Sequence, residues 1–205
     1  MAARLAFMTG IGGPLAVLLL TVLGGAAFPD YSHLSQFISE LGAREAPHGE
    51  LISYGGFLPA GILICAFSFL AARVLPRSGM TWLGLVGIAW YAVGYVVSAF
   101  FRCDPGCRPA EPSFSQQVHN LVGVTGYFTG PVGLIVLGLR ARSWSGARHL
   151  SALGVGCGGI SLVALLLLSP SFPYVGAAQR VLEACVLLWI VVCAFYLKRS
   201  ARAGT

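Results

Sequence analysis

The sequence predicts an all-α membrane protein of six transmembrane helices, and three observations carry that expectation. Hydrophobic residues make up 57% of the chain and charged residues only 10%. The mean hydropathy is +0.80. Apolar runs recur at about 8–28, 51–73, 80–101, 118–139, 149–168 and 178–197. A hydrocarbon core about 30 Å thick needs roughly 20 apolar residues per helical crossing, which each run supplies. Soluble domains fall well outside this composition. Connections are short except at 29–50 and 102–117, so residues 1–205 read as a single membrane domain with no separate soluble unit.

Basic residues orient the bundle, because Lys and Arg in short loops are retained in the cytoplasm. Arg4, Arg73, Arg77, Arg140, Arg142, Arg148, Lys198, Arg199 and Arg202 lie at the two ends or in the second and fourth connections. The other side carries Arg44, Arg102, Arg108 and Arg180 together with Asp30, Glu40, Glu45, Glu50, Asp104 and Glu111. Both termini are therefore expected in the cytoplasm. The formal net charge of +6 is then mainly an orientation signal with some attraction to anionic membrane lipids. Nucleic acid is not an expected partner, since the basic residues are dispersed and no nucleic-acid-binding motif accompanies them.

The first run, 8–28, follows Arg4 and ends in the small residues Gly24–Ala27, which also resembles a signal peptide. Its length and the Phe28–Pro29 end favour a retained helix, and the topology of the remainder is the same either way. Directly after it comes DYSHLSQFISELG, Asp30–Gly42. Leu34, Phe37, Ile38 and Leu41 recur at helical spacing, opposite Ser32, His33, Ser35, Gln36, Ser39 and Glu40. Ser32 suits an N-cap and Gly42 the position just past a C-terminus. The expectation is a short amphipathic helix at about 32–41 on the outer face, too short to span. Its polar side looks either to water or into a pocket.

The third run, 80–101, places Tyr91, Gly94, Ser98 and Arg102 on one stripe rising toward the outer edge. Beyond it, RCDPGCRP sets Cys103 and Cys107 around a Pro-Gly turn, a spacing that suits a disulfide in an oxidising compartment. A metal pair or a redox couple is the alternative reading. Cys65, Cys157, Cys185 and Cys193 stand singly in apolar runs and read as small buried hydrophobes. The fourth run opens with His119, and Gly123, Gly126 and Gly130 follow on the same face. Small residues at that spacing mark close helix approach, within one chain or between two copies. The sixth run begins with Arg180 and Glu183, expected as an i, i+3 ion pair. Ionisable residues at membrane depth usually face an interior partner or cavity, which makes Glu183 a site candidate.

By depth and facing, His33, Ser35, Ser39, Glu40, Arg102, Asp104, His119, Arg180 and Glu183 are expected to converge near the outer leaflet. His119 is expected to face the interior close to the 33–40 segment. The stretch SxxSQFISELGA, the Phe-Arg-Cys-Asp end of the third run and a histidine opening a glycine-rich fourth run together resemble a bacterial and archaeal family, domain of unknown function 998. The resemblance covers nearly the whole chain. It implies a six-helix membrane protein and directs attention to Ser39, Glu40, Gly42, Asp104 and His119, while implying no chemistry.

Three functional classes follow. The first is a non-catalytic membrane protein binding a lipid head group, a small amphiphile or a partner membrane protein, with the glycine-rich helices suited to packing or homo-oligomerisation. The second is a lipid-active hydrolase or transferase, with Ser39, His119 and Asp104 supplying nucleophile, base and orienting acid, or with His33, His119 and Asp104 holding zinc. The sequence contains neither GxSxG nor HExxH. The third, with the least sequence support, is a haem- or quinone-linked redox protein using His33, His48 or His119. Arginine far outnumbers lysine, since Lys198 is the one lysine among 13 basic residues. That bias suggests a GC-rich bacterial genome and hence the cell inner membrane.

Overall fold

The computed structural model describes residues 1–169 and 171–203, with side chains through Ser200. Six helices are long and apolar enough to cross a membrane. They are α1 (Ala2–Ala27), α2 (Gly49–Ala71), α3 (Gly79–Phe100), α4 (Phe114–Ala141), α5 (Arg148–Leu166) and α6 (Val175–Ala203). The described residues form helices, turns and loops, without strands. Every helix begins earlier than apolarity alone placed it, by one residue at α3 and α5 and by six at α1, because the ladders start in the flanking residues. Ser113, for example, caps α4 by accepting from the Gln116 amide at 3.2 Å.

The helices form a closed ring in chain order, with α6 returning to pack against α1. Six crossings leave both termini on one face; the face bearing 28–48 and 101–113 is called distal below. Small residues draw the ring together, as expected where helices associate by close packing and not by exclusion from water. A Cβ added to Gly133 would lie 2.6 Å from the Gly84 carbonyl oxygen, and one on Gly154 would lie 2.7 Å from that of Leu134. Backbones therefore touch along the α3–α4 and α4–α5 seams. Between the seams sit the bulky core residues Phe67, Ile88, Leu134, Leu182 and Trp189, all essentially inaccessible.

Helix α2 departs from α geometry at Ser53–Phe57, a single π turn. Such turns insert one residue into the ladder and re-aim the side chains around them. Here Ser53 Oγ donates to the Gly42 carbonyl at 3.2 Å, while Phe57 packs against Tyr95 with centroids 6.0 Å apart.

The predicted amphipathic helix at 32–41 is not continuous. Residues 33–35 form one turn, Phe37 is extended, and a 3-10 helix runs Ile38–Gly42. The cause is competition for backbone groups by polar side chains. Gln36 Oε1 accepts from the Ser32 amide at 2.8 Å, Glu40 Oε1 from the Phe37 amide at 2.9 Å, and Gln179 Oε1 from the Ile38 amide at 2.6 Å. Tyr31 donates to the Phe37 carbonyl at 2.8 Å. The predicted apolar stripe is split accordingly: Ile38 and Leu41 are buried while Leu34 is 58% exposed. The segment is a strap across the distal end, joined to α6 where the Ala177 amide donates to the Leu34 carbonyl at 3.0 Å.

Because Gly154 abuts backbone, Gly154→Ala is expected to destabilise the bundle by about 1–3 kcal/mol, the usual cost of overpacking. A Cβ at Gly159 of the same helix meets nothing within 4 Å, so Gly159→Ala should be neutral or stabilising. Thermal unfolding midpoints in a mild detergent check the pair; equal effects would contradict the seam.

Candidate functional site

The distal half of the ring encloses a cavity of about 300 Å³. Its floor is built around Glu183, two turns into α6 and only 4% exposed. Both carboxylate oxygens accept from tyrosine hydroxyls. Tyr127 of α4 donates to Oε1 at 2.7 Å, Tyr95 of α3 donates to Oε2 at 2.5 Å, and Tyr91 donates to the same Oε2. A carboxylate in an apolar interior is costly unless its lone pairs are satisfied. Three phenols from two helices do so here.

Gln179, one turn before Glu183, extends the floor upward. Its Nε2 donates to the Tyr127 oxygen at 2.6 Å, and its Oε1 holds the Ile38 amide of the strap. Walls come from Phe37 and Ile38 of the strap, Phe57 of α2, Gly94 and Ser98 of α3, and Asn120 and Gly123 of α4. The Tyr91 and Tyr95 rings meet edge to face at 86°, with centroids 5.6 Å apart.

His119 lines the cavity and is 8% exposed. Its Nδ1 is 3.0 Å from the Phe101 carbonyl. A carbonyl only accepts, so Nδ1 carries a proton; in the neutral ring Nε2 is then the acceptor. The glycine row beneath it divides. Gly126 and Gly130 take the close approach of Tyr91, whereas a Cβ at Gly123 would meet nothing within 4 Å. Two of the three glycines thus pack within the chain, and the third leaves room in the cavity.

A family model described as "Protein of unknown function (DUF998)" matches residues 11–196, a span that takes in the strap, the floor and almost all of the ring. This chain belongs to the DUF998 family. Among curated proteins, solute carrier family 52, riboflavin transporter, member 2 of Homo sapiens is 38% identical over 92 residues. Those residues are 42% of the DUF998 chain and 20% of the human protein, so the chain spans well under two thirds of that relative. No solved structure matches.

The DUF998 structure separates the residues expected to converge. Glu183 and His119 line the cavity, as does Ser39, whose Oγ lies 3.5 Å from Cys107 Sγ. Asp104 sits outside, accepting from the Ser113 hydroxyl at 2.7 Å and amide at 2.9 Å and facing Arg44 at 3.7 Å. These hydrogen bonds, aided by Arg44, hold its carboxyl below the usual range. Ser39, His119 and Asp104 are therefore each bonded elsewhere and do not form a hydrogen-bonded triad. The zinc set of His33, His119 and Asp104 is likewise not assembled: among the described residues no group of three His, Cys, Asp or Glu is placed to hold a metal ion.

The remaining residues secure the distal loops. Arg102 donates from Nε to the Gly42 carbonyl at 2.8 Å and from Nη2 to that of Ala43 at 2.6 Å. Glu40 is buried and bonded within the strap to Gln36 Nε2 at 2.9 Å, with Arg108 3.9 Å away. The Ser35 carbonyl accepts from Arg108 at 2.9 Å. Cys103 and Cys107 stand at disulfide distance, with Cα atoms 5.1 Å apart.

The predicted ion pair between Arg180 and Glu183 is not formed. Arg180 turns outward and donates to the Gln36 carbonyl at 3.0 Å, the Tyr31 hydroxyl at 2.6 Å and His33 Nδ1 at 3.0 Å. The strap offers it three acceptors close together, while the tyrosines already supply Glu183. Tyr95, Tyr127 and Gln179 are the site residues that sequence reasoning missed. For Tyr95 and Gln179 the signal is the i, i+4 spacing with Tyr91 and with Glu183, which puts each pair on one helix face.

Partial desolvation of the otherwise exposed ring, together with the nearby Arg180 charge, holds the His33 imidazole below its ordinary range. A depressed histidine pKa favours the neutral ring in the folded state. The stability this contributes is present above the unfolded value, about 6.5, and is lost as pH falls from there through the folded value. Amide exchange at Gln36 and Ala177, corrected for intrinsic rate, should therefore quicken between pH 7.5 and 5. His33→Gln should flatten that change, and pH-independent protection in the native chain would contradict the assignment.

Proposed function

We propose that this chain is a membrane-embedded binding protein whose distal cavity takes the polar head of a small amphiphile without covalent chemistry. The observation that carries this reading is the buried Glu183 carboxylate, fixed by three tyrosines at the floor of a cavity lined mostly by aromatic and small residues. Binding sites for small molecules have this form, an apolar hollow with a few converging polar groups. The hydrolase reading has less support, since Ser39 faces sulfur and His119 gives its Nδ1 proton to a backbone carbonyl. The redox reading gains nothing from His33, whose Nδ1 accepts from Arg180.

A second reading, release of the bound molecule to the other side of the membrane, is favoured by the partial similarity to a riboflavin transporter. The arginine distribution further supports an orientation with the cavity on the extracytoplasmic face of the inner membrane. Accordingly, Ser35→Cys in intact cells is expected to react with a membrane-impermeant maleimide, and Ser145→Cys only after lysis. The reverse pattern would invert the orientation.

Binding itself is tested by calorimetry on the amphipol-held protein with hexanol, hexanoate, hexyltrimethylammonium and riboflavin. At least one probe is expected to saturate at one per chain. Gly123→Leu places its side chain in open cavity space on a helix that Leu favours over Gly. It should therefore fold normally and weaken that binding about tenfold or more, roughly 1.4 kcal/mol. Saturable binding by no probe, or unchanged binding in Gly123→Leu, would remove the reading.

A further inference from the structure

We propose that the cavity selects an amphiphile with a cationic ammonium head, seated against Glu183, with its apolar tail leaving sideways into the membrane. This rests on the binding reading above and adds the chemical class of the ligand.

Charge is the first observation. A carboxylate offers about four lone-pair directions, and the three tyrosine hydroxyls occupy three of them at Glu183. One acceptor direction and the negative charge remain. Among the described residues no Lys, Arg or His forms an ion pair with Glu183; Arg180, a turn away, is bonded to Tyr31, His33 and the strap backbone. Interior carboxylates are ordinarily matched by a positive charge. Here a cavity stands beside the carboxylate, and an ammonium group supplies the missing charge.

The walls are the second observation. Tyr91 and Tyr95 lie at right angles, Phe57 is 6.0 Å from Tyr95 and Tyr127 is 6.3 Å from Tyr91, centroid to centroid. All four rings line the cavity, and aromatic rings attract cations through their quadrupoles, as in sites that bind quaternary ammonium. Toward the distal side His119 lines the same cavity. An anionic head would be repelled by the Glu183 carboxylate at this floor.

The tail path is the third. Val124 lines the cavity and is also 60% exposed on the outer surface of α4, between Leu121 at 65% and Phe128 at 54%. It lies ten residues into the helix, about 15 Å at 1.5 Å per residue. That depth is within the hydrocarbon layer. Leu168, just past the end of α5, lines the same cavity. The opening therefore faces lipid, and a molecule held by its head at Glu183 can keep its chain in the membrane.

The test ranks hexyltrimethylammonium, hexanol and hexanoate on the amphipol-held protein, subtracting partition into empty amphipol. The expected result is cation binding at least tenfold tighter than either of the others, with the preference abolished in Glu183→Gln while hexanol binding persists. Equal or tighter binding of hexanol or hexanoate overturns the ligand class and leaves the binding reading intact. Absence of saturable binding by every probe defeats both. A cation preference that survives in Glu183→Gln, or binding undiminished in Gly123→Leu, places the ligand elsewhere and overturns the assignment. If Glu183→Gln does not fold, the ranking in the native chain decides the class, and loss of cation affinity in Gly123→Leu decides the place.

Discussion

Burying the Glu183 carboxylate inside an apolar ring is the constraint on which the distal half of this molecule depends. An interior carboxylate demands donors, and no single helix can present three to it. The donors come from α3 and α4, on the other side of the cavity from α6. Satisfying one side chain thereby fixes the spacing of three helices. It also explains why a hollow persists there: hydroxyl groups reach across it where a larger apolar residue would fill it.

Gln179 transmits that arrangement to the loops. One end of its amide bonds Tyr127 and the other holds the Ile38 backbone, so the strap is registered against the floor. Arg180 adds a second tie to the same strap, and Arg102 anchors its far end through the Gly42 and Ala43 carbonyls. Charges that resemble a catalytic cluster when read along the chain serve mainly to organise backbone. The polar lining of the cavity is left to tyrosine, serine, two amides, histidine and one carboxylate.

Much of the architecture was legible in the sequence because membrane thickness imposes a length and a composition on each crossing. Glu183 stood out for the same reason, as an ionisable residue at apolar depth. The inward facing of His119 followed from its place on the glycine row. The strap was misread because its apolar spacing is helical, while its polar side chains capture the backbone amides that a helix would need, one of them from α6, 141 residues away. No local pattern records such a partner. Asp104 was misplaced in the site by proximity along the chain, since its carboxylate is taken up by Ser113 nine residues later. The tyrosines passed as membrane aromatics because phenol hydroxyls declare their partners only in three dimensions.

The π turn in α2 has a consequence for how the two halves of the ring are related. One added residue shifts the helical phase by about 100° across Ser53–Phe57. Toward the termini, the phase of α2 is set by its neighbours, with Ile64 against Gly13 and Gly61 against Val96. Toward the distal face, it is set by the strap and the end of α1, with Ser53 on Gly42 and Ile52 on Gly24. The turn is a phase joint. It lets the membrane-packing surface and the cavity roof each keep its own rotational register along one continuous helix, so neither has to be compromised to suit the other.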